Sequence, residues 1–438
     1  MTTQATTHRR RIKVDYMARV EGEGALDIVV DNGEITHLQL RIFEPPRFFE
    51  AFLQGRSFQE APDITARICG ICPVAYQMSA VHAMEKILGL RPSPEIRALR
   101  RLFYCAEWIE SHALHVYLLH APDFLGYESA IAMAAEPELR PAVERGLRMK
   151  KIGNELLALI GGREVHPISA CVGGFYRAPS QRELLAFKDE LKWGLQAAQE
   201  TVAWTATLSF PDFAPDYEFV ALSHPDEYPM NEGRVISSKG LDIPMEAFEE
   251  HFVEEHVAHS NALHAHRVEG GSYQVGPLAR LNLNRAKLSP LAQEALSKTN
   301  LPFPNNNPFV SIVARSVELV HAFEEALQII ETYEPPQPSR LPAVPRVGEG
   351  CHITEAPRGM LYHRYRIDEL GLIEEAQIIP PTSQNLKRME DDLWAFVPDV
   401  LDLPEEEATW RCEQLVRNYD PCISCATHFL KLNIRREA

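Results

Sequence analysis

Two Cys-x-x-Cys pairs stand at opposite ends of this chain, Arg67-Ile68-Cys69-Gly70-Ile71-Cys72 near the start and Asp420-Pro421-Cys422-Ile423-Ser424-Cys425 near the finish. Each pair can offer two thiolates to one metal, because a tight turn brings the sulfurs together and Gly70 eases the backbone there. Two pairs make four soft ligands, which suit zinc, iron–sulfur or another thiophilic metal, nickel included. From the pairs alone a zinc knot and a catalytic metal stay equally open. Zinc ribbons close loops of roughly fifteen to twenty residues. Here almost the entire chain lies between the pairs, so a shared metal would sit where distant elements meet in the core, which suits a buried reaction centre better than a staple.

Such a site needs a chain able to bury it. With 438 residues, 45% of them hydrophobic and 24% charged, this chain has the balance of a globular protein large enough to do so. A formal net charge of -17 argues against nucleic-acid partners, which require a basic footprint. Arg9-Arg10-Arg11 leads into Ile12-Lys13-Val14-Asp15 and not into an apolar run. Neither a secretory signal nor a membrane anchor is therefore expected, and the expected compartment is the cytoplasm. Reduced surroundings make metal or redox chemistry the better use of eight cysteines than a disulfide framework. Cys105, Cys171, Cys351 and Cys412 stand alone and read as buried, inert thiols.

The pattern along the chain predicts an α+β fold, mainly a helical core bundle with peripheral antiparallel β hairpins or small sheets, in one large catalytic domain over 1–438. Residues 1–45 carry a hairpin, with alternating stretches on either side of Asp31-Asn32-Gly33. Residues 46–333 form the helical core. Within it, Ser93-Pro94 opens a helix with Ile96, Leu99, Leu102, Phe103, Ala106 and Ile109 at helical spacing, further helical patterns cover Met245 to His266 and Pro308 to Tyr333, and a loop-rich insertion lies near 217–243. Glu334-Pro335-Pro336-Gln337-Pro338 breaks the chain before a β and helical segment, 345–428, which carries the second cysteine pair.

At these residues the chain resembles the large subunits of nickel-iron hydrogenases. Arg67 to Cys72 is similar to their first signature and Asp420 to His428 to their second. Arg19 to Gly22, Gly161-Gly162-Arg163 with His166-Pro167, Tyr273 to Arg280, Glu355 to Gly359 and Pro381-Thr382-Ser383 match in family order over nearly the whole chain. The resemblance implies reversible heterolytic cleavage of H2 at a nickel bound by all four cysteines. Cys72 and Cys425 would bridge to an iron carrying CO and CN ligands, with Cys69 and Cys422 terminal on nickel. Arg358, with Pro357 beside it, would hang over the metals with Asp420 or a cyanide as its anionic partner, and Thr382 would donate a hydrogen bond to a cyanide. Glu21 would be the first proton acceptor. Glu50, the Ile378 carbonyl and His428 would hold magnesium or a similar divalent ion. A tail, 429–438, would be removed after nickel loading.

No cysteine motif remains for iron–sulfur clusters and no G-x-G-x-x-G is present, so an iron–sulfur small subunit and flavin-bearing diaphorase subunits are the implied partners. Tyr76 and Glu23 stand where the family often has histidine, and Cys72 to Gln77 is similar to the cytoplasmic, NAD(P)-linked subgroup. His112, His115 and His120 read as core histidines. Two rivals stay open: a related quinone-reductase or proton-pump subunit without nickel, against which the four retained cysteines count, and a zinc-stapled scaffold.

Overall fold

The structure, a computed structural model, describes residues 9–427. At its centre runs the helix Pro94–Leu114, opened by Ser93, whose hydroxyl accepts from Ile96 N, and by Pro94 in the first turn. Its apolar positions Ile96, Leu99, Leu102, Phe103, Ala106 and Ile109 are all buried. Each large one contributes about 1.5–3 kcal/mol by leaving water. The helices Arg140–Gly161 and Ser311–Thr332 pack along it, and Lys188–Thr205 packs on the latter. Gly153 lets the first pair approach closely, since a Cβ there would lie 2.8 Å from both Ala106 O and Glu110 N. A π-helical turn, His115–His120, ends the central helix. All three of its expected core histidines, His112, His115 and His120, are buried.

Among the described residues, five small antiparallel sheets surround the helices, as an α+β reading requires. Strands β2 (Gly24–Asp31) and β3 (Glu34–Ile42) form the expected hairpin, and β1 (Arg9–Val14) adds a third strand along β2 that the hairpin pattern did not include. Two-residue strands β4 (Ala170–Cys171) and β5 (Gly174–Phe175) pair beside the helical core. The insertion near 217–243 is the sheet β6 (Val220–Ser223), β7 (Arg234–Ser237) and β8 (Asp242–Ile243). One expectation fails. Residues 245–266 do not form one helix: two short turns, Met245–Ala247 and Phe248–His251, give way to the hairpin β9 (Phe252–His256) and β10 (Leu263–Arg267). Phe248 and Phe252 do stack, at 4.6 Å, as helical spacing implies. The chain extends immediately afterwards because cross-strand pairing buries Phe252, Leu263 and Ala265. Strands β11 (Gly348–Ala356), β12 (Gly359–Ile367) and β13 (Ile373–Ile379) form the last sheet, packed on the helix Pro73–Leu88. The helices Pro381–Val400 and Glu405–Arg417 follow and cover the β1–β3 sheet through a second apolar cluster.

The central helix carries buried acids. Burial, opposed by the Lys150 ammonium at 2.9 Å, pushes Glu110 up to about 7. An unfolded glutamate ionises near 4.5, so between that pH and about 7 the folded chain holds a proton that the unfolded chain has lost. Stability from this group is therefore full at low pH and falls as pH rises through that window, by on the order of 3 kcal/mol. Urea unfolding at pH 5 and pH 8 should show a smaller loss of stability in Glu110→Gln than in the parent.

Candidate metal centre

Cys69 follows the short 3-10 turn Ala66–Ile68, and Cys72 is the residue from which the helix Pro73–Leu88 starts. Gly70 is not in the left-handed region, and a Cβ there would touch only Val165, at 3.8 Å. The turn closes by a different means, with Ile71 N and Cys72 N both donating to Cys69 Sγ at 3.3 Å. Glu107, on the central helix, accepts from Val74 N at 2.6 Å and Ala75 N at 3.2 Å, satisfying the free N–H groups of the helix that Cys72 begins.

The second pair reaches the first from 353 residues away. Cys422 Sγ lies 3.5 Å from Cys69 Sγ, Cys425 Sγ lies 3.9 Å from Cys72 Sγ, and all four sulfurs are within 4.8 Å of one another. All four residues are at most 2% exposed. Arg47 ties the two loops together: its guanidinium donates to Ile68 O at 2.7 Å and to Ser424 O. Glu21 is locked against Cys422 by a bridge in which Ile423 N donates to Glu21 O at 2.8 Å. Its carboxylate Oε2 takes Ser424 N at 3.0 Å and lies 3.1 Å from Cys422 Sγ. Gly22 is required beside it: φ is +90°, and a Cβ would meet Ile423 at 2.7 Å and Ser424 N at 2.9 Å.

Arg358 occupies the gap between β11 and β12, 2% exposed. Its Nε donates to Asp420 O at 2.8 Å and its Nη2 to Asp420 Oδ1 at 3.1 Å. Asp420 presents carbonyl and carboxylate together because its φ is +52°, a region aspartate tolerates better than most residues. Nη1 of Arg358 is buried and makes no hydrogen bond among the described residues. Thr382 Oγ1 accepts from Cys422 N at 3.0 Å, leaving its hydroxyl proton to donate. Behind Arg358, Arg280 binds Glu318 at 2.7 Å and Glu355 at 2.9 Å and donates to the carbonyls of Ala356 and Pro357, both at 2.9 Å. Pro357 thus holds the segment by its carbonyl. Tyr76 is fully buried, and burial together with the neighbouring charges of Cys425, Cys72 and Cys422 pushes its phenol well up, so it stays protonated.

Glu50 Oε1 accepts from Ile378 N at 2.7 Å, so Glu50 lies beside Ile378 through its N–H, whereas the expected magnesium ligand was the Ile378 carbonyl. His428 lies outside the described residues, as does the tail 429–438. Arg47 N donates to Thr427 O at 2.7 Å, so Thr427, the last described residue, lies close to the helical turn that carries Glu50. Cys105, Cys171, Cys351 and Cys412 are buried away from this centre, with burial raising each thiol. Sequence reasoning missed Arg47 and Glu107, which make backbone contacts that no motif announces.

The donor set fits a thiophilic metal. Hydrogen bonds from Cys422, Cys425 and Cys72 hold the Cys69 thiol well below its usual value, while burial pushes Cys422 well above its own. Four thiolates in so small a buried volume need a cation among them. Residues 47–143 and 245–428 match the family described as Nickel-dependent hydrogenase. The chain belongs to that family. It is 33% identical to Sulfhydrogenase 1 subunit alpha of Pyrococcus furiosus, over 96% of this chain and 98% of that one. It is 28% identical to the NAD-reducing hydrogenase HoxS subunit beta of Cupriavidus necator, over 96% of this chain and 95% of the relative. A solved NAD+-reducing [NiFe]-hydrogenase in the H2-reduced state superposes with a TM-score of 0.84 and 26% identity, covering 96% of this chain and 99% of that one. As in those hydrogenases, this chain is a large subunit with an α+β fold, and its family membership implies a nickel–iron centre.

Arg47 bears on both cysteine loops without touching a sulfur. Arg47→Met should lower nickel retention by about 10–100-fold, the usual cost of losing an outer-shell partner. Nickel per chain after a chelator challenge measures it.

Proposed function

We propose that this chain is the catalytic subunit of a nickel-iron hydrogenase that cleaves H2 reversibly and sends electrons through an iron–sulfur small subunit towards NAD(P). The observation that carries this reading is the convergence of two cysteine pairs from opposite ends of the chain on one buried point. Cys69 and Cys422 would hold nickel, and Cys72 and Cys425 would hold it together with an iron bearing CO and CN. When bound, the metals supply the heterolytic splitting of H2 and the storage of its electrons.

The protein's own groups do the rest. Glu21 Oε2, 3.1 Å from Cys422 Sγ, takes the proton from the sulfur side of the site, and burial raises its affinity for that proton. Arg358, immobilised through Asp420, would offer its unpaired, buried Nη1 to the metal ligands as a fixed donor and positive charge. Thr382, whose Oγ1 accepts from Cys422 N, would donate its hydroxyl to a cyanide ligand, and Pro357 would line the cofactor. Glu50, the Ile378 carbonyl and His428 would hold magnesium, and 429–438 would be removed after nickel loading.

The NAD-reducing relatives support flavin-bearing diaphorase partners. None of the described helices is long and apolar enough to cross a membrane, and we assign the complex to the cytoplasm. The native complex should contain nickel and iron and reduce NAD or NADP with H2. Zinc alone in the chain, or no H2-dependent reduction of either nucleotide or a viologen dye, overturns the reading. Glu21→Gln should slow H2 oxidation by about 10²–10⁴-fold with metal content unchanged.

A further inference from the structure

Away from the cysteines, a second group of ligand-type side chains comes from three elements. His259 lies in the turn between β9 and β10, His264 on β10, and Glu390 in the middle of the helix Pro381–Val400. His259 Nε2 is 2.8 Å from Glu390 Oε1, and His264 Nδ1 is 3.7 Å from Glu390 Oε2. One donor atom from each lies within 4.8 Å of the others. The two imidazoles meet edge to face, with centroids 5.6 Å apart.

The second distance is the informative one. At 3.7 Å the His264 nitrogen faces a carboxylate oxygen without a hydrogen bond. The other nitrogen, Nε2, is buried and has no hydrogen-bond partner among the described residues, in a side chain only 3% exposed. A buried imidazole left in that state loses hydrogen bonds it would have in water. Tetrahedral donors at about 2.0–2.1 Å from a cation lie about 3.3 Å apart, between the two distances observed. A cation would give the Nδ1 lone pair of His264 a partner and take a second carboxylate oxygen, with Nε2, on the other side of the ring, keeping the proton. Burial, with the charges of His259 and Lys387, pushes His264 down to about 3, so its lone pair is available at any physiological pH.

The surroundings permit a cation. Among the described residues Glu390 forms no ion pair with lysine or arginine, and besides the histidines it accepts only Leu40 N, at 2.9 Å. Lys387, one turn earlier on the same helix, is 39% exposed and lies 3.8 Å from Asp391. The comparable trio His224, Glu227 and Glu232 shows the contrary case. There Arg97 reaches both carboxylates at 2.6 Å and Arg101 adds a contact at 2.7 Å, so guanidinium groups already supply the charge. His259 and Glu390 remain 19% and 16% exposed, which leaves a path for the ion and a place for a water ligand.

We infer that His259, His264 and Glu390 form a three-ligand site for a zinc-class divalent cation, closed by water. Two imidazoles and one carboxylate select zinc or a similar late first-row ion over magnesium, which asks for six oxygens. The ion staples the β9–β10 hairpin to the helix whose first turn carries Thr382. The inference stands apart from the catalytic reading, because no cysteine takes part.

The test uses the native complex with its cysteine site loaded, so that those sulfurs cannot take zinc. After loosely held metal is removed with a chelator, zinc is added back, counted per chain and examined by zinc-edge X-ray absorption. One zinc is expected, with nitrogen and oxygen neighbours at about 2.0–2.1 Å and no sulfur at about 2.3 Å. His259→Ala and Glu390→Gln, both at partly exposed positions, should each weaken binding by more than about 100-fold, beyond the range of an outer-shell loss. His264→Ala should do the same if it folds, and the first two variants decide the matter if it does not. No added zinc, sulfur in its shell, or unchanged affinity in His259→Ala and Glu390→Gln overturns the site.

Discussion

Four buried sulfurs within 4.8 Å of one another set an electrostatic problem that the surrounding structure is arranged to solve. Uncompensated charge in such a volume costs several kcal/mol per ion, so the cysteines define a place where metal cations belong. The residues around them supply local balance. Arg358 meets Asp420 along one edge and leaves its buried Nη1 without a hydrogen bond, while Glu21 faces a single sulfur from the opposite end of the chain. Neither group could work from a flexible loop. Asp420 is held in a left-handed backbone that directs two oxygens at one guanidinium, and Glu21 is bridged to the Cys422 loop by its own backbone.

Polar groups in the core carry this precision outward. Arg280 is buried completely and answers two carboxylates and two carbonyls, three of them in the segment that ends at Arg358 and the fourth, Glu318, on the helix Ser311–Thr332. Glu318 is held down to about 2 by Arg280 and His112, so it stays ionised despite its burial. Tyr228 adds a hydrogen bond to the same carboxylate at 2.8 Å. Such networks are costly when incomplete and rigid when complete. Here the cost is accepted directly behind the arginine that must not move.

Much of this was legible from residue types. The central helix announced itself by its Ser-Pro opening and its apolar spacing. The two cysteine pairs announced a common site, and Asp420, one of the two anions named for Arg358, does pair with it. Backbone recognition was not legible. Arg47 and Glu107 act on carbonyls and amides, which look alike at every position in a sequence, and the turn at Cys69 closes through N–H···S contacts where a glycine conformation was expected. The hairpin β9–β10 was misread because Phe248 and Phe252 stack at helical spacing, whereas the pairing that extends the chain comes from residues beyond them. Local periodicity cannot report a partner strand.

The helix Pro381–Val400 shows how one element can serve distant ends of the chain. Thr382 in its first turn receives Cys422 N, and Asp392, about 15 Å further along at 1.5 Å per residue, receives the hydroxyls of Tyr419 and Tyr217. Residues 419 and 422 are therefore fixed at two widely separated points on one rigid rod, with Asp420 between them. Asn385 adds a third attachment, to the backbone of Val275 at 2.9 Å. Any tilt of the helix would move Thr382 and Asp392 in opposite directions and twist the segment that carries Asp420 and Cys422. Glu390 lies beside Asp392 on that rod, and through His259 and His264 it grips the β9–β10 hairpin. A cation held there would resist that tilt, which gives a site built without cysteine a mechanical bearing on the geometry of the four sulfurs.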